Sequence, residues 1–171
     1  MGQRKGILKM IKITDTKGQN KKALHMILHV HEICEQYTTA MNNISYLGAQ
    51  NLDGMPHGTG VGNPTQQRAL KLTDIESKKN WIMAVEQMES TLTENQKEFL
   101  RLRRLAEQNA ERSCVRGRPA WVVFVQTRYN DWYNNRYGKE VFVSEITLKQ
   151  WQAMIVDKTV RIAIYNGCFS Y

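Results

Sequence analysis

Between Leu52 and Thr65 the chain gathers four of its eleven glycines and two of its three prolines, in the order Leu-Asp-Gly-Met-Pro-His-Gly-Thr-Gly-Val-Gly-Asn-Pro-Thr. Glycine loses the most backbone entropy on ordering, and proline has no amide proton to donate. Neither a helix nor a strand therefore crosses such a segment. Whatever lies on either side must form separate elements, and the apolar patterns there say what those elements are.

Upstream, Ala23, Ile27, Val30, Cys34, Tyr37, Met41 and Ile44 follow an alternating four-three spacing. This heptad seam predicts a long helix over about residues 20–45 that lays one stripe on a partner helix. Downstream, Asn63-Pro64-Thr65 has the form of a helix start, with Asn63 as cap and Pro64 in the first turn. Leu72, Ile75, Trp81, Ile82, Val85, Met88 and Leu92 then mark a second helix, interrupted in pattern by Lys79. Two such helices joined by a glycine-rich hinge make an antiparallel hairpin.

The rest of the chain also reads as helical. Thr93 with Gln96 forms a capping box that opens a helix at about residue 94, with Phe99, Leu102, Ala106 and Ala110 on its apolar face. Arg101, Arg103 and Arg104 are expected to point away from that face. Ser113–Pro119 breaks this helix and leaves a basic linker. Val122, Val125, Tyr129, Trp132 and Arg136 predict a helix that stops at Gly138. The competing reading makes Trp121–Val125 a strand paired with Glu140–Val143 and Arg161–Tyr165, because β-branched residues are frequent there. A last helix starts at Ser144, buries Ile146, Leu148, Trp151, Ile155, Val156, Ile162 and Ala163, and ends at Gly167.

The expected fold class is thus all-α: a long antiparallel helical hairpin followed by a small helix-turn-helix-like C-terminal domain. Its divisions are a basic flexible arm over 1–20, the hairpin over 21–92 with its hinge at 47–64, and a C-terminal helical DNA-binding domain over 93–171.

The formal net charge is +8, and its distribution is uneven. Residues 1–22 carry seven Lys/Arg against one acid, residues 23–100 five against nine, and residues 101–171 twelve against six. Basic ends suit a polyanion, and an acidic middle suits contact with other helices. No apolar run approaches the ~18–20 residues that span a bilayer. Met1-Gly2 opens like a myristoylation signal, but Gly6 stands where serine or threonine is required. No secretory leader is expected. Three widely separated cysteines, Cys34, Cys114 and Cys168, fit neither a disulfide scaffold nor a zinc ribbon, so a reducing cytoplasm is expected.

Gly58-Thr-Gly-Val-Gly62 approaches a phosphate cradle in composition only. It follows a helix rather than a strand, and no lysine comes after it to reach a phosphate. His25 and His29 share a helix face, a spacing that can hold a metal, but no third ligand is fixed by the pattern, and a solvated face is preferred. No nucleophile motif is present. The reading is of a protein without cofactor, metal or catalytic activity.

Gly138-Lys-Glu-Val-Phe-Val-Ser-Glu-Ile-Thr-Leu-Lys-Gln-Trp151 has the logic of the turn and second helix of a helix-turn-helix unit. Val143 would plug the core and Ser144 cap the helix, while Leu148 and Trp151 anchor it. Ser144, Glu145, Lys149 and Gln150, with Ile146 and Gln152, would then face a major groove. Arg118, Arg128 and Lys139, together with Arg116 and Arg136, would hold phosphates.

The residues Leu52-Asp-Gly-Met-Pro-His-Gly-Thr-Gly-Val-Gly-Asn-Pro-Thr-Gln-Gln-Arg-Ala69 resemble a marker of the RinA/ArpU-type transcriptional regulators of Gram-positive phages and prophages. The resemblance implies long helices on both sides of the loop and a C-terminal helix-turn-helix similar to sigma-factor region 4. It also implies an activator of late or packaging genes, working on double-stranded DNA in the bacterial cytoplasm. Host RNA polymerase and a second copy, joined through the N-terminal helices, would be its partners. Val143–Trp151 is similar to the family's second helix, whereas its usual first helix is not evident here. The other class open at this point is a non-enzymatic phage structural, assembly or packaging-associated helical protein.

Overall fold

The structure, a computed structural model, describes residues 16–50, 64–109, 114–115 and 117–169. Among them are six helices: α1 (Thr16–Leu28), α2 (Val30–Gln50), α3 (Pro64–Ser90), α4 (Glu94–Gln108), α5 (Ala120–Tyr137) and α6 (Glu145–Tyr165). The one other pairing joins β1 (Cys114–Val115) to β2 (Arg118–Pro119), antiparallel, with Gly117 at a left-handed φ of 76° in the turn between them. The all-α class is what forms. Trp121–Val125 is helix, not strand. Of the hinge expected over 47–64, residues 47–50 instead continue α2 and Pro64 opens α3, while 51–63, the first fifteen residues of the basic arm, Ala110 and Arg116 lie outside the described residues.

Local chemistry sets the helix ends. Pro64 is the first residue of α3, where its missing N–H leaves no bond unmade. The Thr93 N–H donates to Gln96 Oε1 at 3.1 Å at the start of α4. Gly138 closes α5 at φ 65°, its N–H bonded to Asn134 O at 2.8 Å. At the end of α6 the Cys168 N–H reaches Ala163 O (2.8 Å) and the Gly167 N–H reaches Ile164 O (3.2 Å). This is the Schellman pattern, with Gly167 in the left-handed position.

The first long helix differs from expectation in two ways. It starts at Thr16, so Thr16–Asn20 are helical rather than part of an arm. Burial of Ala23 and Ile27 against α3 and α6 stabilises the turn that precedes them. It is also divided at His29, although helical bonds His29 N–H to His25 O and Ile33 N–H to His29 O, both 3.0 Å, run across the division. The heptad seam is buried at Ala23, Ile27 and Val30 but open by Met41, which is 41% exposed. α1 meets α3, α4 and α6, whereas α2 packs chiefly on α3, so the seam loses neighbours along its length. Leu72, expected on the buried face of α3, is 46% exposed for the same reason.

The core is one contiguous cluster drawn from all six helices, α2 contributing Val30, so it bridges the segments 21–92 and 93–171. Its largest fully buried side chains include Trp81, Phe99, Met88, Tyr129 and Leu148. Trp151 joins it edge-on to Phe99 at 5.7 Å and tilted against Tyr129 at 5.8 Å.

Arg101 points to water as expected, but Arg103 and Arg104 correct the sequence reading. Arg103 is buried, donates to Gln152 Oε1 (3.2 Å) and Glu107 Oε2 (2.8 Å), and lies over the Trp121 ring at 4.8 Å. Arg104, also largely buried, donates to Ile27 O at 2.9 Å and pairs with Glu89. α4 is covered by α1 on one side and α5 on another. The Arg103 and Arg104 guanidinium groups are therefore satisfied inside, their stems packing as apolar surface, whereas Lys97, Arg101 and Gln108 keep the rest of the polar face exposed.

Tyr129 gives this core a pH dependence. Burial, reinforced by Tyr133, Tyr137 and Glu98, pushes its hydroxyl up from 10.0 to about 12. The folded state keeps a proton that the unfolded chain has already released. This share of stability is complete below pH 10 and is lost as pH rises through about 12. Urea midpoints measured at about pH 9 and about pH 11 should fall for the natural chain, and Tyr129→Phe should flatten part of that fall.

Candidate nucleic-acid interface

The segment from Lys139 to Val143 belongs to neither helix nor strand and is longer than a tight turn. The Val141 N–H donates to Asn130 Oδ1 (2.9 Å), and Gln126 Nε2 donates to Val143 O (2.8 Å), so α5 holds the segment at two points. Val143 is half-buried against the core, as a plug should be. Seven residues separate Tyr137 from Glu145, against the three or four of a helix-turn-helix turn. α5 packs mainly on α4, and α6 on α3 and α1. Across α5 and α6, the Tyr129 and Trp151 rings meet at 5.8 Å.

Ser144 begins α6 at φ −67° and ψ 153°, and its hydroxyl accepts from the Thr147 N–H at 3.1 Å. It also shares a hydrogen bond with Thr147 Oγ1 at 2.9 Å. Its side chain is therefore engaged in capping. Leu148 is fully buried and turns this end of α6 inward. Lys149 and Gln150 are exposed.

Two neighbours depart from expectation. Ile146, placed on the buried side in the apolar reading, is 68% exposed, because among the described residues the helix face it occupies has no packing element over it. Gln152, placed outward, is half-buried and accepts from Arg103.

Glu145 is the electrostatic centre of this surface. Its carboxylate lies 2.7 Å from Lys149 Nζ and 3.9 Å from Arg118 Nε. The short β1–β2 pairing brings Arg118 to the start of α6. Ser144, Glu145, Lys149 and Arg118 are thus gathered at one end of α6. Arg128 and Lys139 are exposed elsewhere: Arg128 stacks over Phe124 at 5.9 Å on α5, and Lys139 begins the segment that follows α5. Asp131 and Glu140 line the concavity of about 590 Å³ between α5 and that segment, which makes this side less favourable to phosphate. Arg136 lies 3.7 Å from Glu94 and over the Trp132 ring.

The other side of α6 is more cationic. A groove of about 660 Å³ runs between α1 and α6, with Lys17 and Lys21 on one wall and Lys149 on the other. Sequence reasoning missed the two α1 lysines. Their signal is the charge of residues 1–22, but the expected arm over 1–20 takes in Lys17, and nothing in the pattern sets Lys21 beside Lys149. His25 and His29 lie ring to ring at 4.6 Å, with His29 Nδ1 3.3 Å from Glu32. Among the described residues no group of three or more His, Cys, Asp or Glu side chains is placed to hold a metal. No described helix is long and apolar enough to cross a membrane.

Comparison with known protein families, with curated proteins and with solved structures finds no match.

Proposed function

We propose that this chain is a sequence-specific DNA-binding regulator of the phage or prophage type that acts without catalysis through the N-terminal half of α6. The observation that carries the reading is the exposed pair Lys149–Gln150 on a capped helix end, with Arg118 drawn to the same end by Glu145. Lysine and glutamine offer donors to base edges, glutamate accepts from cytosine, and arginine anchors the phosphate backbone. The basic C-terminal third and the likeness of Leu52–Ala69 to RinA/ArpU-type regulators support the same reading. Activation of late or packaging genes, contact with host RNA polymerase and pairing of copies through the N-terminal helices belong to this proposal. The seven-residue connection makes the unit a variant of helix-turn-helix geometry, with α6 as the reading helix.

The test is a gel shift with DNA from upstream of the genes neighbouring this one. A specific complex is expected. Lys149→Ala should weaken it by about 5–150-fold, corresponding to the ~1–3 kcal/mol of one base contact, and should leave random duplex nearly unchanged. Equal losses on both DNAs would reduce Lys149 to a phosphate contact. No duplex binding at all would favour the assembly-protein reading.

A further inference from the structure

The groove between α1 and α6 has a chemistry of its own. Lys17, Lys21 and Leu24 succeed one another at helical i, i+4, i+7 spacing on α1, and Lys149, Ala153 and Val156 do so on α6. Each wall therefore runs from lysine to an apolar residue on one helix face. No carboxylate lines the groove among the described residues. Glu145 offsets Lys149 from one turn away, which leaves Lys17 and Lys21 as its stronger cations.

We propose that this groove is a docking site for an acidic amphipathic helix of a partner protein. A duplex backbone would satisfy the lysines but leave the Leu24–Ala153–Val156 floor wet. An amphipathic helix lays leucine-like side chains on such a floor and carboxylates against such a rim. The chain's own first fifteen residues carry four Lys/Arg and one acid, the same sign as the rim, so they complement it poorly. The groove shares Lys149 with the DNA-binding reading but does not rest on it, since its cations on α1 and its floor are separate from Gln150 and Arg118.

The probe is a fluorescent synthetic helix of about four turns, leucine at i, i+3, i+4 and i+7 and glutamate elsewhere, compared with its lysine counterpart on the full chain. The glutamate peptide should bind and the lysine peptide should not. Ala153 is exposed, so Ala153→Glu should fold normally while placing a carboxylate in the groove. It should weaken the glutamate peptide at least about tenfold, as should Lys17→Glu with Lys21→Glu. Circular dichroism and thermal melting should be unchanged in both variants. Three results overturn the proposal: equal binding of the two peptides, variants that lose duplex affinity while the peptide does not bind, or variants that shift the sedimentation of the chain itself. The second result would assign the groove to DNA and the third to another copy.

Discussion

Trp81→Ala is expected to destabilise the fold by roughly 3–5 kcal/mol and to lower Tm by about 10 °C or more. The indole is 1% exposed at the meeting of α3 with α1 and α6. It meets Phe169 edge-on at 5.2 Å, and Lys22 Nζ lies over it at 5.3 Å. Truncation removes the largest fully buried side chain. It would leave a cavity bounded by helices that are held apart by their other contacts, so collapse recovers little. Against a total stability of ~5–15 kcal/mol this is a large fraction. Among the described residues the Trp81 Nε1–H has no hydrogen-bond partner. Trp81→Phe therefore breaks no protein hydrogen bond, and should cost roughly half as much or less. Urea denaturation followed by far-ultraviolet circular dichroism measures both. Similar losses for the two variants would show that the indole contributes something other than volume.

Duplex affinity, under the proposed function, should fall about 40-fold between 50 and 200 mM salt if Arg118, Arg128 and Lys139 each neutralise one phosphate. Changing any one of them to alanine should reduce the slope by about one. Glu145 gives this prediction a second arm. Its carboxylate competes with phosphate for Lys149 and Arg118 from inside the protein. Glu145→Gln should therefore raise affinity for random duplex several-fold at low salt, and narrow the gap between specific and random DNA. Fluorescence anisotropy titrations across a salt series measure both effects. A flat salt dependence would remove the phosphate role of all three cations.

The elements that were legible in the sequence are those fixed by their own residues. Ser144 caps α6 and Gly138 closes α5 where the local chemistry requires. Pro64 opens α3, and the Thr93–Gln96 pair opens α4. Heptad spacing marked Ala23, Ile27, Val85 and Met88 as core, and all four are buried. Periodicity failed wherever burial depended on a helix that the pattern does not name. Ile146 and Leu72 have apolar side chains at helical spacing but stay 68% and 46% exposed among the described residues. Arg103 and Arg104 have charged side chains, but neighbouring helices cover them. Of the candidate site, the Ser144–Glu145–Lys149 end of α6 was readable because one helix start sets it. Its union with Arg118 and with Lys17 and Lys21 was not, because those residues lie on other elements.

What the sequence by itself determined is the helical class, most helix ends and the part of each apolar stripe that other helices cover. These follow from dihedral preferences, capping chemistry and a 3.6-residue period, all of which act within a few residues. The tertiary structure decided which stripes meet. It seats α6 on α1 and α3, turns Arg103 and Arg104 of α4 inward, and sets the lysines of α1 beside Lys149. These pairings span up to more than a hundred residues of chain, and only the packing of whole helices selects among the faces that could satisfy the same pattern.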